Sequence, residues 1–182
     1  MTKTIALVIA HTGFQPIEYG VTKKILLAEG YTVLTVSNKP GTATSTIAAV
    51  STKVDTTLDK LKFDEIDGLF VIGGSGCLEN LDTPATHELL HRFYETEKLM
   101  GAICIAPRIL ARAEILTGLR ATGWDEDHEL GAIFKEHGVN YVHETCVIDK
   151  NIVTATDPKA AQEFAENIIA LFENQTYDEL NT

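Results

Sequence analysis

Residues 100–116 read MGAICIAPRILARAEIL, and the way this stretch divides decides the fold. Met100 to Cys104 is a short apolar run of the kind that forms a strand covered on both faces. Ile105 to Leu116 has helix-like composition, and Pro107 lies in the first turn, where a missing N–H does no harm. A strand therefore runs straight into a helix, and Cys104 falls on the junction.

The same strand-then-helix rhythm extends outward in both directions. Upstream, Gly68 to Ile72 (GLFVI) is a buried strand that ends at Gly73-Gly74. Thr83 and Pro84 then supply the N-cap and first turn of a helix carrying Leu89, Leu90 and Phe93. Earlier still, Thr4 to Ala10 (TIALVIA) is a β-branched-rich strand. It is followed by a helix that opens at Pro16, shows Ile17, Val21, Ile25 and Ala28 at helical spacing, and stops at Gly30. Tyr31 to Val36 returns as a strand, and Asn38 to Ser45 is a Gly/Pro/Thr-rich turn region leading into a short edge hairpin. Downstream come a helix near Glu126 to Glu136 and strands at Val139 to Val142, Thr145 to Ile148 and Ile152 to Ala155. Asp157 and Pro158 start a final helix with Ala161, Phe164, Ala165, Ile168, Ile169 and Phe172 on one face.

Strands alternating with helices predict an α/β doubly wound sandwich, a mostly parallel central sheet with helices on both faces. A single domain is expected over residues 1–182, since 182 residues with 45% hydrophobic content suffice for one core. Ligands bind such sheets at the strand C-termini. Three of those ends carry polar residues or glycine: the loop after the first strand with Glu18, the Gly73-Gly74 turn, and Cys104.

Fifteen Lys and Arg stand against 26 Asp and Glu, a formal charge of -11 that repels phosphate backbones and anionic membranes. Nucleic acid and membrane are therefore not expected partners. The three cysteines, Cys77, Cys104 and Cys146, lie far apart without a CxxC spacing, which argues against a disulfide framework and a metal cluster. Ile5 to Ala10 is too short for the apolar region of a signal peptide, and no segment has spanning length. A reducing, cytoplasmic setting follows, where a free thiol persists.

A thiol at the start of a helix meets unpaired N–H groups that favour thiolate, so Cys104 is the candidate nucleophile. The N–H groups of Gly73, Gly74 and Ile105 are candidates for an oxyanion hole, the glycines permitting close approach. Taken singly, a strand-end cysteine is more often a small buried hydrophobe. The surrounding motifs reverse that balance. GFQPIE (13–18), VIGGSGCLENL (71–81), GAICIAP (101–107), LARAEILTG (110–118) and VTATDPKAAQEFA (153–165) fall in the order and spacing of the ThiJ/PfpI superfamily, which the chain resembles from Ile5 to about Phe172.

That resemblance implies a flavodoxin-like sandwich, a homodimer, a nucleophile-elbow cysteine at Cys104 and a helix-borne glutamate at Glu18 touching its sulfur. Beside a thiolate in a closed pocket the Glu18 carboxyl is expected to stay protonated and donate to sulfur. Protease-like members carry histidine directly after the cysteine, whereas this chain has Ile105. The implied activity is therefore addition of Cys104 to a small reactive aldehyde, glyoxalase- or deglycase-like, without a cofactor. Two alternatives stand beside it. One is a non-enzymatic, chaperone-like stress sensor that oxidises at Cys104. The other is a protease or amidase with its base supplied from elsewhere, His11 being a candidate.

Further pocket candidates are Cys77, as a partner for an oxidised Cys104 or simply a turn residue, and Trp124, which follows the threonine matched by Thr122. Glu79, after the Gly-Gly turn, reads as a solvated carboxylate, Cys146 as core, and the acids around Trp124 as surface at a helix start rather than a metal site.

Overall fold

The computed structural model describes residues 2–47 and 49–180. The first half of the chain forms β1 (Thr4–Ile9), β2 (Thr12–Phe14), α1 (Pro16–Ala28), β3 (Thr32–Ser37), β4 (Thr42–Ser45), β5 (Ser51–Lys53), β6 (Thr56–Thr57), β7 (Gly68–Val71), α2 (Cys77–Leu81) and α3 (Pro84–Tyr94). The second half forms β8 (Leu99–Ile103), α4 (Pro107–Arg112), β9 (Arg120–Ala121), α5 (Leu130–Glu136), β10 (Asn140–Tyr141), β11 (Cys146–Asp149), β12 (Ile152–Ala155) and α6 (Ala161–Leu180).

The central sheet runs β11-β12-β8-β7-β1-β3-β6, and every pairing is parallel except that of edge strand β11 with β12. Its strands alternate sides with a period of two. Ala6, Val8, Leu69, Val71, Met100 and Ala102 face the layer containing α3, α4 and α5. Ile5, Leu7, Ile9, Phe70, Leu99 and Ile103 face the layer containing α1 and α6. Both layers are apolar, which is why these strands read as continuous hydrophobic runs. The α/β sandwich with helices on both faces is the architecture observed.

Chain order reverses at β1, which leads to β3 on one side and lies beside β7 on the other. The crevice expected at this switch point is filled by backbone. Gln15 N–H donates to Gly73 O at 2.9 Å and Gly76 N–H to Gly13 O at 3.0 Å. Side chains on Gly74 or Gly76 would strike the backbone of residues 12–15. The open space is displaced toward the end of β8, where Cys104 sits.

Four local expectations are revised. The helix at Ile105 to Leu116 is shortened to Pro107–Arg112, because Glu114 turns the chain at φ 60° and folds Ile115 and Leu116 back into the core. The helix expected from Glu126 begins at Leu130, preceded by a loop in which His128 takes φ 61°. The strand at Val139 to Val142 leaves the central sheet to pair with β9 as β10. Finally, the apolar stripe Ile17, Val21, Ile25 and Ala28 marks the helix but not its buried face. Glu18, Tyr19, Thr22 and Leu26 point inward instead.

Candidate active site

Cys104 is the first residue beyond β8, and its backbone takes φ 66°. The left-handed region costs a residue with a side chain roughly 1–2 kcal/mol, so the surroundings must hold it there. They do so from two sides. Cys104 N–H donates to Ala155 O at 2.9 Å, at the end of β12, and Cys104 O accepts from Trp124 N–H at 2.8 Å. The elbow throws the side chain off the strand axis and into the space above the sheet.

Glu18 reaches the same point from the first turn of α1. Gln15 caps that helix through its side chain, which accepts from Ile17 N–H, and Pro16 starts the helical turn. The Glu18 side chain is fully buried, and its Oε2 accepts from Gly73 N–H at 3.0 Å. The carboxyl lies beside the Cys104 thiol and the two shift each other's ionisation, while Glu18 Oε1 has no hydrogen-bond partner of its own. Gly73 is the residue that lets them meet. A Cβ there would lie 2.6 Å from Cys104 Cβ, 3.0 Å from its Sγ and 3.0 Å from Glu18 Oε2.

Electrostatics order this pair differently from expectation. Burial raises the Glu18 carboxyl to about 7, the charge of Asp157 adds to the rise, and hydrogen bonds from Cys104 and Gly73 oppose it. Burial likewise pushes the Cys104 thiol well up, reinforced by the charge and hydrogen bond of Glu18. The N–H groups of Ile105 and Gly74 pull it back down without reversing the direction. The expected depressed thiol is therefore corrected: desolvation outweighs the local N–H groups, and at rest the proton belongs to sulfur. Near neutral pH Glu18 is the group poised to accept it.

A cavity of about 660 Å³ opens over Cys104. Ile17, Ile105, Trp124 and Pro158 give it apolar surface, while Gln15, Asp157 and Lys159 supply polar atoms. Gly74 also lines it, so Cys104, Glu18, Gly73, Gly74, Ile105 and Trp124 converge on one place. His11 and Cys77 do not line it. His11 closes β1, with its N–H on Asn38 Oδ1, and Cys77 is buried at the start of α2. No histidine is among the lining residues, which leaves a hydrolase without its usual base. Glu79 is exposed on α2, and Cys146 is buried on β11.

Asp157 and Lys159 were legible only as the opening of the last helix. Asp157 caps that turn, accepting from Lys159 N–H at 2.7 Å. Because it follows β12 directly, it also borders the cavity and adds negative charge beside Glu18. The acids near Trp124 are held by protein groups: Asp125 by Leu130 N–H, and Asp127 by Arg108. No group of three or more metal-ligating side chains occurs among the described residues. No helix among them is long and apolar enough to cross a membrane.

A flavodoxin-like sandwich with an elbow cysteine and a glutamate from the first helix defines a class of protein. Its members match this chain over residues 3–171: the chain belongs to the DJ-1/PfpI family. A glutathione-independent glyoxalase of Caenorhabditis elegans, DJR-1.2, is 26% identical over 94% of this chain and 89% of its own length. Deglycase PfpI of Pyrococcus furiosus is 27% identical over 84% of this chain and 89% of its own. Among solved structures, a ThiJ/PfpI domain protein from Brachyspira murdochii superposes with a TM-score of 0.88 at 27% identity, covering 95% of this chain and 98% of that one.

Proposed function

We propose that the protein converts small reactive 2-oxoaldehydes to 2-hydroxy acids, with Cys104 as nucleophile and Glu18 as proton relay. The observation that carries this reading is the buried carboxyl of Glu18, which flanks with the Cys104 sulfur the space a Gly73 side chain would fill and is raised to about 7. In the first step the thiol proton passes to the Glu18 carboxylate while sulfur attacks the aldehyde carbon. The S–C bond forms, the carbonyl π bond breaks, and the oxygen takes the proton from Glu18, giving a hemithioacetal. Ile105 and Gly74 N–H groups, which point at the sulfur, are placed beside the developing negative charge.

Glu18 then carries a proton from the former aldehyde carbon to the neighbouring ketone carbon through an enediol, leaving a thioester on Cys104. Water cleaves the S–C bond, releases the 2-hydroxy acid and restores the thiol. The net reaction adds one water to the aldehyde and needs neither metal nor redox cofactor. The glyoxalase and deglycase names of two relatives agree with this chemistry. The homodimer implied by the family resemblance is part of the proposal, and equilibrium sedimentation tests it.

Turnover of methylglyoxal to lactate is the direct assay. Cys104→Ser should abolish it and Glu18→Gln should lower it by about 100-fold, the usual scale of a lost general acid–base group. Turnover no faster than that of a free thiol at equal concentration would overturn the proposal.

A further inference from the structure

Arg108 lies one helical turn beyond Cys104 and is 1% exposed, the largest fully buried side chain among the described residues. A desolvated guanidinium needs partners, and all those it has come from the loop leading to α5. Nη2 donates to Asp127 Oδ1 at 2.6 Å and Nη1 to Asp127 Oδ2 at 3.0 Å, a bidentate grip. Nη1 reaches Glu129 Oε2 at 3.4 Å, and Nη2 reaches Trp124 O at 3.2 Å. The guanidinium carbon also sits 5.5 Å from the centre of the Trp124 ring. Trp124 N–H meanwhile is held by Cys104 O.

The backbone of Trp124 is thus fixed through its N–H and its carbonyl, and its ring lies against the Arg108 guanidinium while the residue borders the cavity above the sulfur. Asp127 and Glu129 are exposed carboxylates on an irregular segment that Arg108 holds together, with Glu129 N–H also donating to Asp127 Oδ1.

We propose that Arg108 is a positioning residue that locks Trp124 as a rigid apolar wall, and that this wall selects 2-oxoaldehydes bearing an aromatic or bulky apolar group. This rests on the aldehyde reading of the site. A cavity of about 660 Å³ far exceeds what a three-carbon aldehyde fills, and Ile17 and Pro158 extend the apolar surface beyond Trp124. A flat ring seated against the indole would bury both faces and bring its carbonyl to Cys104.

Trp124 is the chain's one tryptophan, so its fluorescence reports the wall without reference to catalysis. Two measurements test the proposal in Arg108→Lys, Asp127→Asn and Trp124→Ala, where Asp127→Asn weakens the grip by removing its charge while keeping one acceptor oxygen for the buried guanidinium. In Cys104→Ser protein, mandelate should quench Trp124 with a Kd about tenfold below that of lactate, the corresponding acid without the ring. Adding Asp127→Asn should remove that difference and roughly double acrylamide quenching of the indole.

In proteins retaining Cys104, the kcat/KM ratio for phenylglyoxal over methylglyoxal should fall about tenfold in Asp127→Asn and Trp124→Ala, mainly through the KM for phenylglyoxal. Arg108→Lys should fall with them, since an ammonium offers no planar fork. Equal affinity for mandelate and lactate, or an unchanged substrate ratio once the indole has been loosened, would overturn the wall. If neither aldehyde is turned over while mandelate still binds more tightly than lactate and Asp127→Asn abolishes that difference, the aldehyde reading fails and the wall remains.

Discussion

Gly73 N–H donates to Glu18 Oε2 across 3.0 Å, and the side chain that Gly73 lacks is the space in which that carboxyl meets the Cys104 sulfur. One residue thus serves both members of the pair, by its donor and by its emptiness. The glycine two residues beyond β7 is therefore part of the site, although it carries no functional group.

Gly73→Ala should disable the site with a modest loss of stability. The added Cβ would fall 2.6 Å from Cys104 Cβ, closer than real contacts allow, and 3.0 Å from Sγ, a tight contact. Overpacking of this kind costs about 1–3 kcal/mol. Urea unfolding should register that loss, while iodoacetamide modification of Cys104 slows or accelerates as sulfur is displaced from Glu18. An unaltered alkylation rate and unaltered urea midpoint would show that the three residues are not in this arrangement.

Glu18 makes both reactivity and stability depend on pH, with opposite signs. Cys104 must hand its proton to the ionised carboxyl, so alkylation should rise about tenfold per pH unit below the Glu18 value of about 7 and then level off. Glu18→Gln should lack that limb. Folding moves the Glu18 value from the ordinary 4.5 up to about 7, so between these the folded state holds more protons than the unfolded one. Stability contributed by this group is complete at the acidic side of the window and falls as pH rises through it, by roughly 3 kcal/mol at full ionisation. Glu18→Gln should accordingly unfold at higher urea than wild type at pH 8, and a variant that is less stable there would refute the assignment.

Cys104 is held at φ 66°, and glycine accepts that conformation without penalty. Cys104→Gly and Cys104→Ala both remove the sulfur, but only alanine keeps the strain. The glycine variant should be more stable than the alanine variant by about 1 kcal/mol in urea unfolding. Alanine as the more stable of the two would mean that the elbow is not strained.

Much of this architecture is legible residue by residue. Continuous apolar runs such as Ile5 to Ile9 are readable because both faces of a parallel strand are covered. The Ala161–Phe172 stripe is readable because α6 buries one side. Helix α1 defeats the same logic. Its apolar stripe is only partly covered, with Val21 packed against the core but Ile17 51% exposed, and the fully buried face carries Glu18 to the sulfur. Function here overrides amphipathic pattern, and pattern alone has no means of signalling that.

Local chemistry, then, determined the strand-to-helix junction at Cys104, the glycines beside it and the order of elements, because propensity, capping and hydrophobic period act over a few neighbouring residues. Tertiary packing alone decided that Asp157 and Trp124 border one cavity, that Arg108 is buried beneath the latter, and that the thiol holds its proton. Those outcomes depend on how much water is excluded and which distant segments meet, and desolvation is a property of the assembled sandwich rather than of any segment in it.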